Sequence, residues 1–277
     1  MKTYSRKILF LLLALISYPL CAQEIALQLY SLREQMKENP VKYHEMIAQW
    51  GIQNLEGGGT YGMSQETYDQ LLKDNGLKII GVGANYETLK NNPQEIIDRA
   101  KHYGAKYATC TWIPHTNGEF SFKETKEAVD LFNEAGKILK KSGITLAYHP
   151  HGYEFKPHEG GVLFDYFLKN AKHFDFNMDV YWVQMGGGDP VAIMKAYPKK
   201  FPMLHVKDRA HGTPGSTDGR GDVESNVPLG TGDLDMEGII LQAKKNRTKY
   251  LIIEDESSRS VEQIPHSVGF IKKILDR

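Results

Sequence analysis

Short runs of apolar and β-branched residues alternate along this chain with longer segments in which apolar residues recur every three or four positions. The short runs are typical of buried strands, and the longer period is typical of helices that pack one face on a core. From residue 24 onward the pattern predicts eight strands, which are Ile25–Tyr30, Ile52–Leu55, Lys78–Val82, Tyr107–Trp112, Ile144–Tyr148, Phe176–Val180, Pro202–Val206 and Tyr250–Ile253.

The segments between the strands carry the start and stop signals of helices. Ser64 stands where an N-cap is expected, Pro93 stands in an opening turn that does not need its N–H, and Gly104 follows as a stop. Four histidines fall within helical segments, where we expect them at the surface: His44, His102, His173 and His266.

Strands that alternate with helices indicate the fold class. With right-handed crossovers, eight strand-helix units close into a single (β/α)8 TIM barrel. The alternative is a doubly wound open sheet, but no strand is followed by a convincing dinucleotide-binding glycine fingerprint. The stretch from Gly57 to Gly62 lacks that spacing, so we interpret it as a tight turn rather than a phosphate cradle. Residues 207–235 are rich in Gly, Asp and Ser and predict a long loop over one end of the barrel.

The N-terminus has the pattern of a secretory signal. Three basic residues precede the apolar run ILFLLLALISYPL, which ends at CAQE. We assign residues 1–22 to a signal peptide and residues 23–277 to the barrel domain, and we expect a periplasmic or secreted protein. The run is shorter than the ~18 to 20 residues of a membrane span, so we expect no integral span after signal removal. Lipid anchoring at Cys21 is the alternative, but Leu20 departs from the small residue expected before a lipidated cysteine.

Composition and charge narrow the class of partner. The chain has 277 residues, with 34 basic and 34 acidic side chains, so it lacks the positive field of a nucleic-acid-binding protein. We expect a small ligand and no nucleic acid, and we leave open whether the chain forms a homo-oligomer. If Cys21 leaves with the signal, Cys110 is the remaining cysteine, and we expect it to be buried and inert within its β run.

Polar residues stand where the predicted strands end. In a barrel of parallel strands, the functional site lies at this end. The second strand ends in Glu56, the fifth in His149, His151 and Glu154, the sixth in Asp179, the seventh in His205 with Lys207, and the eighth in Glu254. Taken singly, each has a structural alternative, such as a core histidine, a turn cap or a solvated acidic run. Their repetition at four consecutive strand ends favours a shared site.

Three carboxylates and one imidazole in this group form a set of metal-ligand type. They are Glu154, Asp179, His205 and Glu254. Such a set suits Mn²⁺, Mg²⁺ or Co²⁺, with Zn²⁺ as an alternative. The ion would polarise a carbonyl while a nearby carboxylate moves the proton. Trp112 and Trp182 lie at strand ends, where they either stack on a sugar ring or pack against the barrel rim.

Seven stretches together resemble a known family. They are LQLYSLRE, GIQNLEGGGTYG, YHPHGYEF, FNMDVYW with GGGDP, LHVKD, PLGTGDLD and IIEDE, spaced over nearly all of the domain. The combination resembles the xylose-isomerase-like TIM-barrel superfamily, in its branch of secreted sugar phosphate isomerase/epimerase-like proteins. The resemblance implies metal ligation by Glu154, Asp179, His205 and Glu254. It also implies contacts to the substrate by His149, His151 and Lys207.

The fifth strand departs from the pattern of the family. In sugar epimerases of this superfamily the first metal carboxylate lies on that strand, at the position that corresponds to Ala147 here. We therefore expect Glu154 to reach back from the loop as the metal ligand. His149 or His151 is the alternative.

The resemblance implies a metal-dependent sugar isomerase or epimerase that moves a proton next to a carbonyl. Without an evident phosphate cradle, we expect a free sugar or keto-sugar rather than a sugar phosphate. One alternative is a lyase or hydrolase that cleaves 3-keto-glycosides with the same metal site, and another is a non-catalytic sugar-binding barrel. We assign catalysis to Glu154, Glu254, Lys207 and His151, and substrate binding to His149, Glu56, Trp112 and Trp182.

Overall fold

The computed structural model describes residues 23–116 and 118–277, and its main sheet is a closed barrel. Its parallel strands are β1 Glu24–Gln28, β2 Asn54–Glu56, β3 Lys78–Gly83, β4 Tyr107–Cys110, β5 Thr145–Tyr148, β6 Asp175–Asp179, β7 Met203–Val206 and β8 Tyr250–Ile253. Each strand pairs with the next along the chain, and β8 pairs with β1. The predicted (β/α)8 fold and its eight strands are confirmed. The signal peptide assigned to residues 1–22 lies outside the described residues.

Helices connect the strands on the outside of the barrel. They are α1 Arg33–Glu38, α2 Pro40–Gln49, α3 Gln65–Asp74, α4 Tyr86–Asn91, α5 Pro93–Tyr103, α6 Phe122–Lys141, α7 Leu163–Asn170, α8 Val180–Met185, α9 Pro190–Ala196, α10 Met236–Asn246 and α11 Ser260–Leu275. Short 3-10 helices lie at Leu29–Leu32, Tyr153–Phe155 and Val223–Ser225. Two small antiparallel ladders pair Pro157–His158 with Gly161–Val162 and Asp208–Arg209 with Asn226–Val227. No helix in the part of the chain that the structure describes has the length and apolar character to cross a membrane.

The expected capping residues begin and end these helices. At the start of α3, Ser64 Oγ accepts a hydrogen bond from the Thr67 amide at 3.1 Å, which satisfies an N–H that has no partner within the helix. Pro93 is the first residue of α5, and Gly104 ends that helix with a φ of 68°. Glycine adopts this left-handed conformation without strain, so α5 stops where the sequence predicts.

Side chains that point into the barrel change from apolar to polar along the strands. Toward the N-terminal ends the inner layer is apolar and consists of Ala26, Ile80, Ala147, Met203, Tyr250 and Ile252. Toward the C-terminal ends the inward positions are polar and buried, and they include Gln28, Glu56, Thr109, His149, Asn177, Asp179, His205 and Glu254. Alternate residues of a strand share one face, so His149 lies above Ala147 and His205 lies above Met203. The interior of the barrel is therefore apolar toward the N-terminal ends of the strands and polar toward their C-terminal ends.

The expectation that the helical histidines lie at the surface is wrong for His44. Its side chain is fully buried, its Nδ1 lies 2.7 Å from the Pro40 carbonyl oxygen, and its ring meets Tyr68 edge-on. The carbonyl satisfies one ring nitrogen, so the imidazole packs in the core as an aromatic ring. The other three histidines are exposed, as expected. Cys110 is buried, also as expected.

The segment 207–235 forms the predicted long connection after β7. The carboxylate of Asp208 anchors it by accepting hydrogen bonds from three loop amides at 2.9 to 3.2 Å. Gly219 and Gly221 of the same segment line the cavity at the mouth of the barrel. The loop therefore lies over the C-terminal ends of the strands.

Candidate metal centre

Four buried side chains converge at the C-terminal ends of β5 to β8. Each offers one ligand atom, and these atoms all lie within 4.8 Å of one another. The residues are His149, Asp179, His205 and Glu254. Two imidazoles and two carboxylates from adjacent strands thus form one compact donor set, which we call the four-residue cluster.

His149 is the member of the cluster that follows β5. Its amide donates to the Cys110 carbonyl oxygen at 2.9 Å, so the strand geometry continues one residue past Tyr148 and His149 points inward. Its Nε2 lies 3.7 Å from Asp179 Oδ2, and its ring centroid lies 4.5 Å from that of His205. Burial and then the charge of His205 lower the pKa of His149 well below its usual value, so its ring is neutral and offers a lone pair.

Glu154, the ligand expected near the fifth strand, lies outside the four-residue cluster. It is fully buried in the 3-10 helix Tyr153–Phe155. The Tyr148 hydroxyl donates to its carboxylate, and the His151 amide donates to Oε2 at 3.0 Å. Tyr148 points to the outer face of β5, so this contact holds Glu154 away from the barrel axis. Burial raises the pKa of Glu154 to about 7. The structure therefore brings His149, the alternative from the sequence, into the cluster.

Asp179 is both a helix cap and a member of the cluster. Its Oδ1 accepts hydrogen bonds from the amides of Tyr181 at 2.8 Å and Trp182 at 3.3 Å, at the start of α8. Its Oδ2 is buried and has no hydrogen-bond partner within residues 23–116 and 118–277. Burial raises the pKa of this carboxyl to about 7, although Lys207 opposes the rise. One oxygen thus performs the capping role, and the other faces the cluster.

His205 is held between two carboxylates. Its Nδ1 lies 3.1 Å from Glu254 Oε2, and its Nε2 lies 2.5 Å from Glu56 Oε2. Burial alone would lower the pKa of His205, but the two carboxylates raise it to about 10. Glu56 was expected to contact the substrate. Instead it is buried beneath the cluster and does not line the cavity, because inward alternation on β2 turns it toward the barrel axis.

Lys207 extends from the end of β7 toward two carboxylates. Its Nζ lies 3.4 Å from Glu254 Oε2 and contacts the carboxylate of Glu256. The rings of Tyr181 and Trp182 lie 5.3 Å and 5.9 Å from the same nitrogen. Burial would lower the pKa of Lys207, but the carboxylates of Glu254 and Glu256 raise it well above its usual value. Lys207 is therefore a fixed cation at the edge of the cluster.

A cavity of about 1750 Å³ opens above the cluster. Its lining includes His149 and Glu254 of the cluster, together with His151, Trp112 and Trp182. Trp112 is 44% exposed and offers a ring face to the cavity, whereas Trp182 is 8% exposed and its ring lies 5.7 Å from that of His151. Polar groups beside exposed aromatic faces suit a carbohydrate, which presents both hydroxyls and apolar ring faces.

The donor set fits a divalent cation. Asp179 Oδ2 is buried and without a hydrogen-bond partner in the described ranges, although such groups are rarely left unsatisfied in proteins. His149 Nε2 lies 3.7 Å from the same oxygen. Two carboxylates balance the charge of a divalent ion. Nitrogen and oxygen ligands in equal number suit Mn²⁺, Co²⁺ or Zn²⁺ better than Mg²⁺, which prefers oxygen ligands and water.

The sequence matches a family of known proteins. Residues 45–274 match the family described as xylose isomerase-like TIM barrel. The chain belongs to this xylose isomerase-like family. The matched residues include β2 to β8 and the whole four-residue cluster, and the resemblance drawn from the sequence motifs is confirmed. No curated protein matches the sequence significantly.

Solved structures share the fold of this xylose isomerase-like chain. A sugar phosphate isomerase/epimerase from Parabacteroides distasonis has a TM-score of 0.74 and 24% identity, over 91% of this chain and 98% of that one. The probable 3-DHS dehydratase AsbF from Bacillus anthracis has a TM-score of 0.70 and 15% identity, over 90% and 99%. A xylose isomerase-like TIM barrel protein from Mycobacterium smegmatis in complex with magnesium has a TM-score of 0.67 and 15% identity, over 93% and 98%.

Sequence reasoning missed several polar residues at the mouth of this xylose isomerase-like barrel. Gln28, Thr109 and Asn177 all donate hydrogen bonds to Glu56. Each stands at an inward position of its strand, so a count of alternate positions along β1, β4 and β6 could have found them. Glu256 belongs to the acidic run that follows β8, and its carboxylate contacts Lys207. No signal in the local sequence distinguishes it from an exposed glutamate.

Proposed function

We propose that this protein is a divalent-metal-dependent enzyme that moves a proton next to a carbonyl group of a sugar, as an isomerase or epimerase does. The observation that carries the proposal is the four-residue cluster beside a large cavity, at the barrel end where TIM-barrel enzymes have their active sites. Membership of the xylose isomerase-like family supports the reaction class, as does the likeness to a sugar phosphate isomerase/epimerase.

The four-residue cluster is the proposed metal site, and Mn²⁺, Co²⁺ and Zn²⁺ are the proposed ions. Two imidazoles in the set favour these ions over Mg²⁺. The neighbour from Mycobacterium smegmatis is described with magnesium, so Mg²⁺ belongs in any comparison of affinities. When bound, the ion would polarise a carbonyl oxygen of the sugar.

Lys207 and His151 are the groups of the chain that we propose to act on the substrate. Lys207 lines the cavity as a fixed cation, so it can donate a hydrogen bond to a substrate oxygen on which negative charge develops. His151 also lines the cavity, and burial lowers its pKa to about 4. Its ring is therefore neutral at neutral pH and can accept a proton. Glu154 acts indirectly, because it holds the His151 amide.

We propose an unphosphorylated sugar or keto-sugar as the substrate. The glycine-rich turn after β2 packs closely against the end of β1 and the residue that follows it. A Cβ at Gly57 would lie 2.6 Å from Gln28 Oε1, and a Cβ at Gly58 would lie 2.5 Å from Leu29 Cδ1. These glycines are therefore required for close packing, which supports the interpretation of the stretch as a turn.

The size of the cavity favours a second candidate function, the cleavage of 3-keto-glycosides. At about 1750 Å³ it exceeds the volume of about 300–1,000 Å³ that is usual for small-ligand sites, so it has room for a sugar with an attached group. The exposed ring of Trp112 offers a surface on which that group could stack. Proton abstraction next to the carbonyl, followed by elimination, would then release the aglycone. A dehydratase, which also performs an elimination, is among the structural neighbours.

Proton exchange in heavy water tests the reaction class. The purified protein is stripped of metal, reloaded with one ion at a time, and incubated in D₂O with free sugars, keto-sugars and 3-keto-glycosides. We expect deuterium to appear at the carbon next to the carbonyl with the loaded protein and not with the stripped protein. Release of an aglycone would identify the second candidate function. Binding of a sugar without exchange or cleavage in any loaded sample would contradict both and would indicate a non-catalytic sugar-binding barrel.

Glu254→Gln and Lys126→Met form a matched pair of variants for the same assay. Glu254 belongs to the cluster, whereas Lys126 is exposed on α6 and pairs with Asp130. We expect Glu254→Gln to lose proton exchange and Lys126→Met to keep it. Exchange at the wild-type rate in Glu254→Gln would contradict the role of the cluster.

We also propose that the protein is exported and that residues 1–22 are removed. The support is the order of basic residues, apolar run and small residues at the N-terminus. Mass spectrometry of protein from a periplasmic fraction should give an N-terminus at or near Gln23. A mass that includes residues 1–22, or a lipid on Cys21, would contradict the proposal.

A further inference from the structure

Glu56 lies beneath the four-residue cluster and is enclosed by hydrogen-bond donors. Gln28 Nε2 donates to its Oε2 at 3.1 Å, and Thr109 Oγ1 donates to its Oε1 at 2.5 Å. Asn177 Nδ2 donates to Oε1 at 2.9 Å and to Oε2 at 3.1 Å. The fourth partner is His205, whose Nε2 lies 2.5 Å from Oε2. The side chain of Glu56 is 1% exposed, so these contacts take the place of water.

Neighbouring contacts settle the direction of these hydrogen bonds. Gln28 Oε1 accepts from the Tyr30 amide at 3.3 Å, so the amide nitrogen of Gln28 faces Glu56. Two amide groups and a hydroxyl therefore donate to the carboxylate. An ionised carboxylate has no proton to donate to the lone pair of an imidazole nitrogen. Glu56 therefore accepts a hydrogen bond from an N–H of His205. His205 accordingly carries a proton on Nε2.

We propose that Glu56 is a positioning residue that selects Nδ1 of His205 as the metal-binding nitrogen. The inference rests on the proposed metal site. Without metal, both ring nitrogens of His205 face carboxylates and carry protons. An ion that binds at the cluster would displace the proton from Nδ1, whereas Glu56 holds the proton on Nε2. Nδ1 lies 3.1 Å from Glu254 Oε2, on the side of the cluster. A carboxylate on the far nitrogen also raises the basicity of the ligating one.

The barrel is shaped to hold Glu56 in this place. The register between β2 and β3 shifts between Leu55 and Glu56, and Glu56 pairs with Gly81. A Cβ at Gly81 would lie 3.3 Å from Glu56 Cγ, closer than most contacts of a real side chain. The partners of Glu56 come from β1, β4, β6 and β7, so four other strands fix the orientation of its carboxylate.

Glu56→Gln tests the positioning role with little change of size. The variant replaces one acceptor oxygen with an NH₂ group and removes the negative charge that raises the basicity of the ligating nitrogen. The NH₂ group faces Thr109 and Asn177 if it takes the place of Oε1, and it faces Gln28, Asn177 and His205 if it takes the place of Oε2. His205 can accept from this group only with its proton on Nδ1 instead of Nε2, and the lone pair on the cluster side is then lost. We expect the affinity for Zn²⁺ and Mn²⁺, measured by calorimetric titration of metal-free protein, to fall by about 10- to 100-fold.

Thr109→Val is the matched control. It removes one hydrogen bond to Oε1 of Glu56, the oxygen that does not contact His205. We expect both variants to lose stability, because each leaves part of a buried polar network unsatisfied. Metal affinity distinguishes the two variants. A reoriented ligand costs about tenfold or more in affinity, and we expect a smaller change in Thr109→Val. Equal metal affinity in Glu56→Gln and the wild-type protein would overturn the inference.

A spectroscopic measurement on the wild-type protein needs no variant that could fail to fold. In protein with ¹⁵N-labelled histidines and bound ¹¹³Cd²⁺, the coupling between metal and nitrogen shows which ring nitrogen of His205 binds. We expect coupling at Nδ1 and a proton on Nε2, and coupling at Nε2 would overturn the inference. Both measurements detect metal binding without a sugar. A protein that binds metal as described but turns over no sugar would therefore refute the proposed reaction and leave the role of Glu56 intact.

Discussion

Replacement of Lys207 by methionine removes a buried cation and leaves its carboxylate partners behind. In the folded protein its Nζ lies 3.4 Å from Glu254 Oε2 and contacts the carboxylate of Glu256. Methionine is unbranched and adaptable, and it can pack against the rings of Tyr181 and Trp182 that now flank the ammonium group. The substitution thus changes charge more than volume, and the change in unfolding free energy reports on the ion pairs.

The magnitude follows from the distance and the burial. Unit charges 3.4 Å apart attract each other by about 5 kcal/mol at an effective dielectric constant of about 20. Removal of one partner from a buried pair typically destabilises a protein by about 3–5 kcal/mol, because the other charge stays unpaired. We expect a loss in this range for Lys207→Met in metal-free protein. In a domain of this size it corresponds to a fall in Tm of about 6–20 °C.

Denaturant and thermal unfolding, with and without divalent metal, measure the effect. A metal ion at the cluster would face the Glu254 carboxylate, which has lost one of its two partners and keeps His205. We therefore expect metal to stabilise Lys207→Met more than it stabilises the wild-type protein. Lys126→Met is the control, because Lys126 and Asp130 form an exposed pair, and it should unfold like the wild type. A loss below about 1 kcal/mol in metal-free Lys207→Met, as for a surface pair, would refute the reasoning.

Three further outcomes test other parts of the structure. Burial raises the pKa of the Cys110 thiol to about 12. In a Cys21→Ser background, a thiol reagent in mildly alkaline buffer should therefore react with Cys110 only after unfolding. Rapid reaction of the folded protein would contradict the burial of Cys110. Gly58→Ala places a Cβ 2.5 Å from Leu29 Cδ1 at a φ of 83°, and it should lower the unfolding free energy by about 1–3 kcal/mol. Gly59→Ala meets no neighbour and should be neutral, so equal denaturation midpoints for the two variants would count against the packing of the turn. Metal at about 100 times its Kd should raise the unfolding free energy by about 2.7 kcal/mol, and an unchanged midpoint would speak against a site in the folded state.

The strands were predictable because parallel barrel strands are buried on both faces and appear as short continuous apolar runs. The ends of the strands were harder to predict. The apolar pattern continues to Tyr30, yet β1 ends at Gln28 and the backbone turns into a 3-10 helix. The pattern likewise continues to Trp112, yet β4 ends at Cys110. A strand ends where its neighbours stop offering hydrogen bonds, and hydrophobicity does not encode that point.

The type of site was predictable from polar residues at successive strand ends, and three of the four expected ligands come together in the cluster. The exception has a tertiary cause. Glu154 is drawn to the Tyr148 hydroxyl behind β5, a contact that depends on the turn after the strand and leaves no periodic signal. The burial of Glu56 has a similar origin, because its donors come from strands that are distant in sequence. Local patterns show that such residues are polar and point inward. They do not show which partner each side chain contacts.

Metal titration of three proteins tests most directly the central claim that His149, and not Glu154, completes the metal centre. Metal-free wild-type protein, His149→Ala and Glu154→Gln are titrated with Zn²⁺ by calorimetry, and bound metal is counted by mass spectrometry. The wild-type protein should bind one ion per chain. Replacement of a residue that only supports a metal ligand lowers affinity by up to about 100-fold, and His149→Ala should lose more than this. Glu154→Gln should bind like the wild type. Metal binding that persists in His149→Ala and disappears in Glu154→Gln would contradict the account.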